Sequence, residues 1–132
     1  MHKSTESLLV LVAGPYRSGT GDDPDKLAAN VAAMNRAALD VFRAGHTPVT
    51  GEALALPLVE LAGSRRVGDA VFDEIFHPIA RRLVSRCDAV LRIGGASQGA
   101  DQMVASARKR GLRVFTQLQE IPGCAGVAEP VG

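Results

Sequence analysis

Hydrophobic and polar positions fall in blocks along this chain, with short solid apolar runs followed by longer stretches at helical spacing. The first run, Leu8 to Ala13, has no polar position and stops at a loop containing Gly14, Pro15, Ser18, Gly19 and Gly21. Such a run predicts a strand covered on both faces. Beyond the loop, Asp23 can cap a helix, Pro24 suits its first turn, and Asp25 favours the positive end of its dipole. Leu27, Val31, Met34, Ala38, Val41 and Phe42 recur every three or four residues and predict one apolar face, with Gly45 as the stop signal. His46 to Thr50 reads as a short buried strand ending at Gly51 and Glu52.

Residues 53–66 are less regular, with Leu54, Leu56, Leu58, Val59 and Leu61 around Pro57. A short helix, a lid or a dimer surface all fit, since so many leucines need cover. From Phe72 to Val84 the helical period is strong, and Pro78 predicts a kink or a fresh helix start inside it. Asp88 to Ile93 reads as the third strand, and Gly94 to Gly99 as the loop beyond it. A helix over Ala100 to Arg110 follows, then Gly111 and a last strand over Leu112 to Leu118. The tail, 122–132, is rich in Gly, Pro and Ala and is expected to add little to a domain spanning 1–121.

Strands alternating with helices imply right-handed crossovers and a parallel sheet of four or five strands covered on both faces. The expected fold is a single-domain flavodoxin-like or Rossmann-like three-layer α/β sandwich. In such sheets ligands bind where the loops leave the carboxyl ends of the strands, which nominates residues 14–22 and 94–99 as one site.

Composition changes this picture little. A length of 132 residues suits one domain, and 46% hydrophobic with 22% charged residues is ordinary for a globular protein. A net charge of +1 gives no electrostatic case for a nucleic acid polymer or an anionic membrane. No apolar run approaches the roughly 20 residues that span a bilayer, and the N-terminus lacks a small-residue cleavage site, so the expected compartment is the cytoplasm. Cys87 and Cys124 have no metal-ligand spacing; Cys87 adjoins an apolar strand and is expected to be a buried reduced thiol. No metal or cofactor is expected.

The two loops carry the candidate chemistry. In the first, Gly14 and Gly19 let a ligand approach the backbone, Arg17 offers a planar fork of donors, and Ser18 and Thr20 offer hydroxyls. In the second, Gly94 and Gly95 open the turn, Ser97 supplies a hydroxyl and Gly99 begins a helix. Amides at that helix start plus a serine suit one phosphate, although the same glycines also serve to make tight turns. Neither loop has the spacing of a nucleoside-triphosphate or dinucleotide loop. Tyr16 is placed to stack on a base, to bond a carboxylate, or simply to pack. Asp73, His77 and Arg81 follow at four-residue spacing, as an acid/base pair or as a solvated ionic row. Glu74 sits where Pro78 frees a carbonyl, Glu52 ends the second strand on the ligand side, and Asp101 lies in the first turn after Ser97. The catalytic candidates are therefore Asp101, Asp73, Glu74 and Tyr16, with Glu52 and His77 as further pocket residues.

Taken together, Val12-Ala13-Gly14-Pro15-Tyr16, Cys87-Asp88-Ala89-Val90, Ser97-Gln98-Gly99-Ala100 and Gly111-Leu112-Arg113-Val114 resemble the nucleoside 2-deoxyribosyltransferase-like family and its small bacterial relatives. The resemblance runs in order from Leu8 to Phe115. It implies cleavage or exchange of the N-glycosidic bond of a nucleoside or nucleoside 5′-monophosphate, a phosphate held at Ser97, and a homodimer. It also implies a helix-borne glutamate, but that position falls on Met103, and a second family acid falls on Ala80. The expectations are thus a nucleotide-processing N-glycosidase or transferase using another acid, a nucleotide-binding or sensing module without turnover, or a dimeric scaffold without ligand.

Overall fold

In a computed structural model of the protein, which describes residues 7–123, the chain forms a three-layer α/β sandwich around a four-stranded parallel sheet. The elements are β1 (Leu9–Ala13), α1 (Pro24–Arg43), β2 (Thr47–Val49), α2 (Gly51–Leu61), α3 (Ala70–Val84), β3 (Ala89–Arg92), α4 (Gln98–Lys109) and β4 (Arg113–Phe115), followed by a 3-10 turn at Leu118–Glu120. Strand order is β2-β1-β3-β4, with Val10 opposite Ala89 and Leu11 opposite both Val49 and Val90.

The solid apolar runs mark the two central strands because both their faces are covered. Val10, Val12, Ala89 and Leu91 pack with Met34 and Val41 of α1, whereas Leu11, Ala13 and Val90 pack with Val84 of α3 and Ala100 and Ala107 of α4. Helix α1 has the expected cap, with Asp23 accepting from the Lys26 N–H at 3.3 Å. Its apolar stripe is narrower than its sequence suggests, for Leu27, Met34 and Val41 are buried while Phe42 is 64% exposed. Phe42 lies one step round the helix from Val41, beyond the edge of the sheet-facing face. Cys87 is free and buried, and burial pushes its thiol up to about 11. Cys124 lies outside the described residues.

Four expectations need correction. The short helix expected among the alternatives for the leucine-rich stretch does form but begins earlier, over 51–61, capped by Thr50, whose Oγ1 accepts the Ala53 N–H at 3.1 Å. Gly51 and Glu52 therefore open a helix and do not end a strand. Glu52, Ala55 and Val59 turn inward at helical spacing, while Leu54, Leu58 and Leu61 stay exposed, so the leucines that dominate the segment mark its outer face. Helix α3 runs through Pro78 as one element, so no fresh helix starts there. Only one intrahelical bond, to the Glu74 carbonyl, is forfeited there, and packing of the apolar face outweighs it. The last strand is confined to Arg113–Phe115, and Leu118 belongs to the 3-10 turn. Pro122, assigned above to the tail, gives its carbonyl to the buried ring of His46 at 2.7 Å. Among the described residues, no helix is long and apolar enough to cross a membrane.

Candidate functional site

The loops after β1 and β3 meet at the carboxyl edge of the sheet. Gly94 has φ +78°, and a Cβ built there would come within 2.7 Å of Pro15 Cδ, so the two turns touch where only glycine fits. Arg92, at the end of β3, holds the second turn from beneath. Its guanidinium donates to the carbonyls of Ile93 and Gly95, and its Nε donates to Asp101 Oδ1 at 3.0 Å. Gly94→Ala is expected to cost about 2–4 kcal/mol, the sum of left-handed strain and overpacking, measured as a lowered melting temperature.

Two cavities flank this contact. The inner one, of about 170 Å³, lies between the β1 edge, the N-termini of α2 and α4, and the face of α3. An outer groove of about 480 Å³ is lined by Pro15, Gly19, Asn30, Gly95 and neighbours. Ser18 and Ser97 line both. Ser97 caps α4, its Oγ accepting the Ala100 N–H at 3.1 Å, which leaves the hydroxyl's own hydrogen free for another acceptor.

An aromatic wall closes one side of the inner cavity. Tyr16 stacks against Phe76 at 5.5 Å, and Phe76 against Phe72 at 4.7 Å, with interplanar angles of 23° and 17°. The helix that carries both phenylalanines is capped by Asp69, which accepts from the Phe72 and Arg65 N–H groups, each at 2.8 Å. Those backbone bonds lower the Asp69 carboxyl to about 2.

Glu52, in the first turn of α2, lines the same cavity and is only 9% exposed. Desolvation raises its carboxyl to about 7, offset in part by a hydrogen bond from its own backbone N–H. Burial, and then the charge of Glu52, likewise raise the Tyr16 phenol. A carboxyl that titrates near neutrality in a cleft can both take and give a proton at physiological pH.

The structure thus brings Gly14, Tyr16, Arg17, Ser18, Glu52, His77, Ser97 and Gly99 to the inner cavity, and Gly19 and Gly95 to the outer groove. The other expected acids are elsewhere. Asp101 lines neither cavity; it serves Arg92, with a side chain 69% exposed. Asp73 forms an exposed pair with His77 at 3.7 Å, and Glu74 is exposed outside both cavities. Gly94 is packed beneath Pro15 and lines neither cavity. Sequence reasoning missed Phe72 and Phe76 as a wall, Gln102 as a lining residue, and the burial of Glu52. The i, i+4 spacing of the two phenylalanines behind the Asp69 cap was a usable signal. Met103 and Ala80, the positions on which the resemblance would put the two family acids, both line the cavity. Among the described residues, no group of three or more His, Cys, Asp or Glu side chains is placed to hold a metal ion.

No protein-family model matches the chain, and no curated protein matches it.

Proposed function

We propose that the protein binds a nucleoside 5′-monophosphate or nucleoside across the two cavities and cleaves its N-glycosidic bond, with Glu52 as the acting carboxylate. The observation that carries this reading is one buried acid of raised pKa that shares a cavity with an aromatic wall at the mouth of a parallel sheet. The inner cavity, at about 170 Å³, is smaller than the 300–1,000 Å³ typical of pockets that enclose a whole ligand of drug size. It takes one ring of a nucleotide, and the remainder lies in the outer groove past Ser18 and Ser97.

Cleavage at the anomeric carbon passes through an oxocarbenium-like transition state, which a carboxylate stabilises and for which it can activate water. In its ionised form Glu52 takes a proton from water as the C1′–N bond breaks. The hydroxyl goes to C1′, the bonding pair leaves with the base, and the proton held by Glu52 is returned to that base. Met103 stands where the resembling family carries its glutamate and lines the same cavity as Glu52, so the acid enters the hollow from α2 in place of α4.

A second reading keeps the pocket and omits turnover. It is favoured by Met103 and Ala80, two lining positions without the acids that the family resemblance implies. Incubation with a panel of purine and pyrimidine nucleoside 5′-monophosphates decides between them. Free base in the supernatant is the expected result. A raised melting temperature without free base leaves the binding module, and the absence of both removes the nucleotide reading altogether.

A further inference from the structure

Arg17 lines the inner cavity with its guanidinium already committed to a carboxylate. Its Nε and Nη2 donate to the two oxygens of Asp22, each at 2.9 Å, in the same two-pronged geometry a guanidinium presents to phosphate. Asp22 reaches that position at φ +60°, a left-handed conformation uncommon outside glycine. A local knot holds it there: Asp22 N–H donates to Thr20 Oγ1 at 3.0 Å, and that hydroxyl donates to the Arg17 carbonyl at 2.6 Å. Thr20 is itself buried. On its other side the guanidinium stands 6.0 Å from the centre of the Phe72 ring and fills the space a Cβ on Gly68 would need. The loop therefore spends backbone strain to present an acid to an arginine on the cavity wall.

The pair is nonetheless easy to part. The two side chains are 44% and 43% exposed, and ion pairs so open to water hold weakly. If Arg17 lets go, the Asp22 carboxylate passes to solvent without being stranded in an apolar interior.

We propose that Asp22 is a built-in stand-in for the ligand's anion, and that binding transfers the Arg17 guanidinium from Asp22 to a phosphate of the ligand. This rests on the nucleotide reading above. Asp22 thereby sets specificity: it masks a cation that would otherwise hold any small anion, and it yields only to a phosphate that the rest of the ligand carries into the cavity.

The test follows the Arg17 Nε–H signal by NMR while the protein is titrated with a nucleoside 5′-monophosphate, with the parent nucleoside and with inorganic phosphate. The monophosphate is expected to move that signal and the nucleoside is not. Asp22→Asn keeps a residue that tolerates the left-handed turn. It is expected to bind the monophosphate about two- to fivefold more tightly, the fold-change equivalent of a lost surface ion pair, with nucleoside affinity unchanged. Adding Arg17→Gln should erase that gain. Inorganic phosphate should move the signal in Asp22→Asn more than in the native protein, which shows unmasking without the nucleoside. A monophosphate that binds while the Arg17 signal stays still, or an Asp22→Asn variant with an unchanged preference for phosphate, overturns the proposal and leaves the nucleotide reading standing. If neither nucleotide nor nucleoside moves any signal from the cavity walls, the nucleotide reading fails and takes this proposal with it.

Discussion

Glu52→Gln is expected to stabilise the protein at pH 8 by up to about 3 kcal/mol while abolishing release of base. The carboxyl titrates near 4.5 when exposed and near 7 in the folded protein, where desolvation opposes its charge. The folded state therefore holds the proton more tightly than the unfolded state. Stability falls as pH rises from about 4.5 to about 7 and is level again above that, since the charge must then be carried in a dry site. Each unit between the two values is worth about 1.4 kcal/mol, which sets the upper figure. Glutamine removes the titration, so the difference between variant and native protein should be absent near pH 4 and grow to its full size by pH 8. Denaturant melts at both pH values read it directly. Parallel curves at all pH values would show that Glu52 is not held in a desolvated state. In the native protein, turnover should climb with ionisation of this group on a limb centred near pH 7, and the variant should show no such limb.

A gain in stability on removing an acid marks a residue kept for something other than folding. Sites of function are where local rules are broken and the cost is met elsewhere. Glu52 breaks one such rule, being a carboxyl buried without a cationic partner among the described residues. Its placement also explains the limits of sequence reading here. The central strands were legible because burial on both faces leaves a solid apolar run, and α1 was legible because Asp23, Pro24 and Gly45 punctuate it. The two glycine-rich loops followed from the order of elements alone, and Gly94 against Pro15 places them in contact. Helix α2 was obscured because its leucines point outward and its inward stripe consists of Glu52, Ala55 and Val59, two of them weak signals by size or charge. Burial of an acid is a tertiary fact: nothing in Thr50-Gly51-Glu52-Ala53 says that α3 and the β1 loop will enclose it. For the same reason Asp101 looked catalytic from its position near Ser97, yet Arg92 claims it.

His46→Ala is expected to lower stability by about 4 kcal/mol and the melting temperature by roughly 15 °C. The ring is 2% exposed and joins three parts of the chain. Nδ1 accepts the Leu8 N–H at 3.0 Å, so it carries no hydrogen, and Nε2 therefore donates to the Pro122 carbonyl at 2.7 Å. One side chain, from the residue before β2, thus ties the residue before β1 to the segment that leaves the 3-10 turn. That segment is closely seated, with Ile121 1% exposed and a Cβ on Gly123 meeting the Ala44 carbonyl at 2.6 Å. Alanine strands the buried Leu8 N–H at about 1–3 kcal/mol, frees the part-buried Pro122 carbonyl at a smaller cost, and leaves a void beside them. His46→Gln supplies an amide oxygen for Leu8 and an amide N–H for Pro122 and should recover part of the loss, which separates the hydrogen bonds from the packing. Hydrogen exchange at the Leu8 amide gives the local reading: protection should drop in the alanine variant and return in the glutamine one. A loss below about 1 kcal/mol in His46→Ala would mean that water replaces the ring, and the 122–123 segment would then owe its position to Ile121 and Gly123 alone.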